Sequence, residues 1–167
     1  MPQGYISVGS NIDKEIHVPS SLRALQSLFG RLTLSSVYES EPVGFIGDSF
    51  FNLIVGFQSE LTAKEVAKLL KQIELEHGRS QESQKFSART LDLDLILYGD
   101  QVIRDGRLQI PRDEIERYAF VLEPLAEVAP EGIHPTNGKS YLELWQAFDK
   151  SQVNQHKIDF DPILGKQ

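Results

Sequence analysis

Leu91-Asp92-Leu93-Asp94-Leu95-Ile96-Leu97-Tyr98 reads as one strand, closed by Gly99-Asp100. Side chains alternate along a strand with period two. Asp92 and Asp94 therefore point to one face, and Leu91, Leu93 and Leu95 point to the other, toward the core. Two carboxylates ~7 Å apart on one pleat repel unless they are solvated or bridged by a cation. Magnesium suits such a pair, because it takes one or two carboxylates and completes its shell with water and substrate phosphates. The plainer alternative is an amphipathic strand with two solvated aspartates. Aspartate is a poor strand former, which weighs against that alternative.

Outward from this strand, the pattern mixes helices and strands. Tyr5 to Val8 is a short strand stopped by Gly9-Ser10-Asn11. Leu22, Leu25, Leu28 and Phe29 follow helical spacing, with Pro19 and Ser20 near the start and Gly30 at the end. Thr33 to Tyr38 alternates as a strand, and Glu39 to Ser49 reads as a loop. Phe50 to Leu61 is a long strand, and Thr62 to Glu65 is a capping box. The helix it opens carries Val66, Leu69, Leu70 and Ile73 on one stripe and ends before Gly78. Arg79 to Ala88 is polar and aperiodic. After the aspartate strand, Gln101 to Ile110 is a hairpin turning at Asp105-Gly106. Short helical pieces follow at Asp113 to Tyr118 and Val121 to Val128, limited by Pro124 and Pro130. A second capping box at Ser140 opens a helix through Trp145.

Two hairpin-like connections break strict βαβ alternation. The expected class is α+β with a mostly antiparallel sheet and helices packed on it. The expected core is Ile6, Val8, Leu22, Leu25, Leu53, Val55, Leu69, Leu91, Leu93 and Leu95. The expected organisation is a single domain over 1–150 and a tail of unassigned role over 151–167. Ile158, Phe160, Ile163 and Leu164 are the tail's docking candidates.

A chain of 167 residues with 40% hydrophobic and 25% charged residues has the make-up of one ordinary globular domain. The absence of cysteine excludes disulfides, thiol catalysis and zinc-thiolate sites. A net charge of −7 argues against a broad nucleic-acid surface. Local arginines or a metal still permit a small polyanionic ligand. The amino terminus lacks the features of a signal peptide, and no run has the length of a membrane span. A cytoplasmic location is expected, with no membrane or nucleic-acid partner. Oligomeric state is not readable, a monomer being favoured.

Arg79 opens the polar loop, Arg89 closes it, and Glu74 ends the preceding helix. A loop with an arginine at each end can close over metal-bound phosphates, since the planar guanidinium fork matches phosphate oxygens. Alone, each arginine is more often a solvated surface charge. Asn52, beside Phe50 and Phe51, offers an amide that could read the polar edge of a flat heterocycle, although apolar strands often carry one hydrogen-bonded asparagine. Gly132 to Ser140 imitates a phosphate-binding loop but has five residues, one a proline, where that motif has four. It reads as a turn feeding the Ser140 cap. The four histidines, at 17, 77, 134 and 156, lack metal-ligand spacing, and no nucleophile elbow occurs.

From residue 4 to about 150 the chain resembles the 6-hydroxymethyl-7,8-dihydropterin pyrophosphokinases. The resemblance rests on Gly9-Ser10-Asn11, Val37 to Gly44, Phe50-Phe51-Asn52, Ile73-Glu74, Gly78-Arg79, Arg89 to Ile96 and Glu123-Pro124-Leu125. It implies a ferredoxin-like α+β sandwich. It also implies transfer of the β,γ-pyrophosphoryl group of ATP to a pterin hydroxymethyl oxygen in folate biosynthesis, with two magnesium ions. By resemblance, Asp92 and Asp94 hold the metals, and Arg79 and Arg89 belong to a mobile catalytic loop that holds phosphates. Glu74, Leu95, Arg107 and Arg112 join these arginines in the ATP site. Ser40, Val43, Phe50, Asn52, Phe86 and Phe120 form the pterin pocket, with Phe86 and Phe120 stacking on the ring.

The departures from the family pattern cluster on the nucleotide side. Gln81 stands where a second loop arginine is frequent, Arg112 where a histidine is usual, and Tyr118 where an arginine is frequent. Lys71 and Gln109 replace other common ATP contacts, Ser87-Ala88 replace the usual small-residue and proline pair, and Phe86 replaces a tryptophan. These departures motivate an alternative: a pterin-binding paralogue with an altered substrate or lost kinase activity.

Overall fold

The computed structural model describes residues 1–41, 47–78 and 91–165. In chain order these form β1 (Gln3–Ser10), α1 (Lys14–Phe29), β2 (Thr33–Leu34), β3 (Val37–Ser40), β4 (Phe50–Gln58), α2 (Ala63–Glu76) and β5 (Asp92–Tyr98). A hairpin of β6 (Ile103–Asp105) and β7 (Leu108–Ile110) follows. Then come α3 (Glu114–Arg117), α4 (Ala119–Val128), α5 (Tyr141–Ala147) and β8 (Gln155–Ile158). The main sheet runs β5-β1-β4-β3-β8, with β2 also paired to β4. Every pairing in it is antiparallel. The succession β1, α1, β3, β4, α2, β5 is the β-α-β-β-α-β pattern of a ferredoxin-like sandwich.

Apolar side chains cover both faces of the sheet. On one face Ile6, Val8, Leu53, Val55, Leu91, Leu93 and Leu95 pack with Val18, Leu22 and Leu25 of α1 and Val66, Leu70 and Ile73 of α2. On the other, Ile54, Ile96 and Leu97 pack with Leu122 and Leu125 of α4 and Tyr141 of α5. Each fully buried Leu or Ile contributes about 2 kcal/mol. The two-faced burial explains why β5 ends in a continuous apolar run. Its register against β1 shifts at Tyr5 and Ile6, and Ile96 and Leu97 both reach the second core. Before that shift the alternation holds: Leu93 and Leu95 are buried while Asp92 and Asp94 are only partly so.

Both capping boxes form. Thr62 and Glu65 exchange side-chain and backbone hydrogen bonds, as do Ser140 and Glu143. The Gly132 to Ser140 segment is the expected turn, closed by a bridge between Ile133 and Ser140. All the expected core residues are buried except Leu69. The apolar stripe of α2 centres on Val66, Leu70 and Ile73, one turn apart, and leaves Leu69 at its margin.

Several boundaries differ from the sequence expectation. Helix α1 begins at Lys14, so Pro19 lies inside it. Burial of Val18, Leu22 and Leu25 offsets the hydrogen bond that proline cannot donate. Pro124 likewise sits inside α4 rather than limiting it. The strand expected over Thr33 to Tyr38 is split, because the Ser35 hydroxyl accepts the Ile54 N–H in place of a backbone carbonyl. The tail supplies β8, whose residues Gln155 to Ile158 pair with Ser40 to Val37. Its Phe160 is buried against Phe51, with ring centroids 5.0 Å apart. Ile158 and Ile163 pack on the same core, whereas Leu164 stays exposed.

Candidate active site

Register places the candidate residues in rows across the sheet. Gly9 of β1 is the partner of Asn52 on β4 and of Asp92 on β5. Ser7, one pleat along, is the partner of Ile54 and Asp94. Directly opposed residues share a face, and Ile54 belongs to the core under α4. Asn52, Asp92 and Asp94 therefore all lie on the α4 side. Two strand spacings separate Asp92 from Asn52, about 10 Å. Gly9 lies between them without a side chain, and a Cβ there would stand 3.1 Å from Asn52 Oδ1.

Among the described strands β5 lies at the edge of the sheet, and its outer side borders a cleft of about 630 Å³. Lys64, Lys68, Lys71 and Glu74 of α2 form one wall. Arg107 and Gln109 near the β6–β7 turn, together with Arg112, form the other, and Asp94 and Leu95 line the floor. Among the described residues that line it, five cations stand against two carboxylates, a local positive excess within an acidic chain. Burial opposes the charge on Arg112, but the hydrogen bond to Glu114 and the carboxylates of Asp94, Glu114 and Asp113 prevail and raise its pKa above the usual arginine value. Its Nη2 donates to Glu114 Oε2 at 2.8 Å, and Glu114 is buried. Glu74 is also buried, and its Oε2 accepts the Leu93 N–H at 2.7 Å. It thereby fixes the backbone between the two aspartates.

Asp92 and Asp94 give two hard oxygen donors on one half-exposed face. Among the described residues, no three His, Asp or Glu side chains form a metal cage. Two carboxylates beside an open cleft fit magnesium, which leaves several coordination positions to water and phosphate.

On the other side of Gly9, Asn52 Nδ2 donates to Ser40 Oγ at 2.9 Å. Ser40 is the register partner of Phe50, so both share the α4 face with Asn52. Phe120, in the first turn of α4, packs on the same core and stacks on Tyr118 at 5.2 Å. Tyr118 carries the Arg117 guanidinium over its ring at 5.2 Å. Glu127 clasps α4 to β3, accepting from Tyr38 Oη at 2.8 Å and from the Ser36 amide and hydroxyl. Burial first, then the hydrogen bond to Glu127, pushes the Tyr38 hydroxyl well above the ordinary tyrosine pKa.

The structure thus brings together Asp94, Glu74, Leu95, Arg107 and Arg112 at the cleft, with Asp92 one pleat along β5 on the same face as Asp94, and Ser40, Phe50 and Asn52 across Gly9 on that face, where Phe120 of α4 also packs. Arg79, Gln81, Phe86, Ser87, Ala88, Arg89 and Val43 lie outside the described residues. Three contributors have no role in the sequence reading: Gly9 as open floor, Glu114 as the anchor of Arg112, and Lys64 and Lys68, which extend Lys71 into a stripe along α2. The spacing of Lys64, Lys68 and Lys71 places them on one helix face, a readable signal. Glu114 gives no such signal, because its role arises from packing across a turn.

The model of the 7,8-dihydro-6-hydroxymethylpterin-pyrophosphokinase (HPPK) family matches residues 5–130. A relative from Aquifex aeolicus is 33% identical over 141 residues, 83% of this chain and 88% of its own length. One from Haemophilus influenzae is 33% identical over 152 residues, 89% of this chain and 94% of its own. Both are named 2-amino-4-hydroxy-6-hydroxymethyldihydropteridine pyrophosphokinase. Among solved structures, the Plasmodium falciparum HPPK-DHPS triple mutant with pteroate superposes with a TM-score of 0.74 at 12% identity. That match covers 93% of this chain and 46% of the solved one, so this chain spans less than half of its structural neighbour.

Proposed function

The chain belongs to the HPPK family, and from that premise we propose that it moves pyrophosphate from ATP to 6-hydroxymethyl-7,8-dihydropterin, giving AMP and the pterin diphosphate. The observation that carries this reading is the row Asp92, Gly9, Asn52 beside the basic cleft. It sets a metal-competent carboxylate pair between a polyanion cleft and an amide suited to a flat heterocycle.

The cleft takes the nucleotide. Lys71, Arg107 and Arg112 face its phosphates or ribose, and Leu95 offers apolar floor. Asn52 and Ser40 read the pterin's donor and acceptor edge while Phe50 and Phe120 hold its rings. Two magnesium ions on Asp92 and Asp94 would neutralise polyphosphate charge and favour in-line displacement. The hydroxymethyl oxygen bonds to the β-phosphorus as the bridge to the α-phosphate breaks. AMP leaves, and the hydroxyl proton passes to solvent. Catalysis of this kind rests on positioning and charge neutralisation more than on a dedicated base. Arg79, Arg89, Val43 and Phe86 enter this proposal on family resemblance alone. So does the cytoplasm as the place of work, where ATP is available.

The departures noted in the sequence leave the cleft cationic. Arg112 stands in place of a histidine but is anchored by Glu114, and Lys71 adds a charge. This favours an active enzyme over a paralogue that has lost nucleotide binding. The test is a product assay by mass spectrometry with purified protein, ATP, magnesium and hydroxymethyldihydropterin. One AMP per pterin diphosphate is expected. Absence of AMP overturns the proposal.

A further inference from the structure

Gln155 lies beyond the stretch that matches the family model, in the edge strand β8. It is the register partner of Ser40, so its backbone runs alongside one wall of the candidate pterin pocket. Its side-chain Nε2 donates to Ala119 O at 3.0 Å and to Glu123 Oε1 at 2.8 Å. Both acceptors belong to the turn of α4 that carries Phe120, the opposite wall. That turn is short of one internal bond: Pro124 has no N–H to give the Phe120 carbonyl four residues earlier. Gln155 does not replace that bond, but it ties the weakened turn to β8 at Ala119 and Glu123, on either side of Phe120.

We propose that Gln155 is a positioning residue for the pterin. It fixes the spacing between the Ser40–Phe50–Asn52 wall and the Phe120 wall, and so sets affinity for the flat ring rather than for the nucleotide. The inference rests on the pocket assignment under Proposed function. The two carboxylates and the basic cleft lie on the far side of Gly9 from Gln155. Its effect is accordingly confined to one substrate.

The test uses the full chain and its Gln155→Met variant, which keeps side-chain length and loses both donated bonds. The KM for pterin is expected to rise about tenfold, the scale of losing a hydrogen bond to a charged group. The KM for ATP and kcat are expected to stay within about twofold and the thermal midpoint within about 3 °C. A second variant pair addresses fold damage. Gln155→Glu sets an acceptor against two acceptors and is expected to weaken pterin binding further. Adding Glu123→Gln restores a donor and is expected to recover part of that loss. Unchanged pterin KM in Gln155→Met overturns the inference, as does a parallel rise in both KM values with a lowered midpoint. Calorimetry of wild-type protein with 6-hydroxymethylpterin, magnesium and α,β-methylene-ATP separates the two readings. If wild type binds the nucleotide but no pterin, the pocket assignment itself fails.

Discussion

Asp92 and Asn52 are both register partners of Gly9, one on each side of β1. The carboxylate and the amide therefore share a single row and a single face, with nothing but backbone between them. Under the proposed function, a substrate whose ring rests at Asn52 reaches the Asp92 carboxylate by crossing Gly9. The backbone angle of Gly9 is not in the left-handed region, so its value lies in the space it leaves. Gly9→Val is expected to raise the pterin KM by more than about tenfold, with Gly9→Ala intermediate, because one Cβ already crowds Asn52 Oδ1. Pterin calorimetry on both variants checks this, and equal affinity in all three proteins contradicts it.

Asp94→Asn keeps the shape of the floor and removes one charge. Turnover is expected to fall on the order of 10²–10³-fold while pterin affinity changes little. Steady-state kinetics paired with pterin titration measures both. An equally active variant removes Asp94 from metal binding.

Glu114 orients Arg112 toward the cleft through a 2.8 Å bond. Glu114→Gln keeps an acceptor for Arg112 but removes its charge, and is expected to raise the KM for ATP several-fold, less than the more than tenfold that outright loss of a bond worth about 1.5–3 kcal/mol gives. The pterin KM is expected to hold. Raising ionic strength to about 0.5 M is expected to increase the KM for ATP more than that for pterin, as screening acts on the cationic cleft.

His134 is buried, and its Nδ1 accepts the backbone N–H groups of Thr136 and Asn137. Burial, ahead of a raising influence from Glu116, lowers its pKa below the ordinary histidine value. The folded protein thus resists protonation that the unfolded chain accepts. Stability is expected to be full above about pH 6.5 and to decline as pH falls through the folded value. His17, also lowered by burial and by His77, adds to the same slope. Thermal midpoints from pH 8 to 5 test this, and a His134→Gln variant is expected to flatten the acid limb.

Tyr38 is buried with its hydroxyl on Glu127. Glu127→Ala leaves that hydroxyl without its partner and is expected to cost about 1–3 kcal/mol, read by urea unfolding. Tyr38→Phe is expected to cost less, because Glu127 keeps the Ser36 donors.

Much of the fold was legible because its signals are local. The alternation at Leu91 to Leu95 and the two capping boxes each follow from neighbours in the chain; the hairpin was also legible, although its turn residues are Gly106-Arg107 rather than Asp105-Gly106, since Asp105 pairs with Leu108. The start of α1 was hidden because Pro19 usually marks a first turn, and tertiary burial of Val18, Leu22 and Leu25 carries the helix past it. The tail's strand was hidden for a related reason: Gln155 to Ile158 is polar and short, and pairing with β3 stabilises it. In the site, Asp92, Asp94 and Asn52 were visible as residue types. Their common row depends on strand order and register, which no single stretch encodes.

An edge strand is a hazard to any protein that carries one, since its unpaired amides and carbonyls can recruit a strand from another molecule. The working edge of β5 is instead occupied from within. Glu74 accepts the Leu93 N–H, and the Arg112 N–H donates to the Ile96 carbonyl at 3.0 Å. The same two contacts that shape the cleft thereby engage an amide and a carbonyl that edge-to-edge pairing would otherwise use. A Glu74→Ala variant is accordingly expected to aggregate at a lower concentration than the parent protein, as read by light scattering.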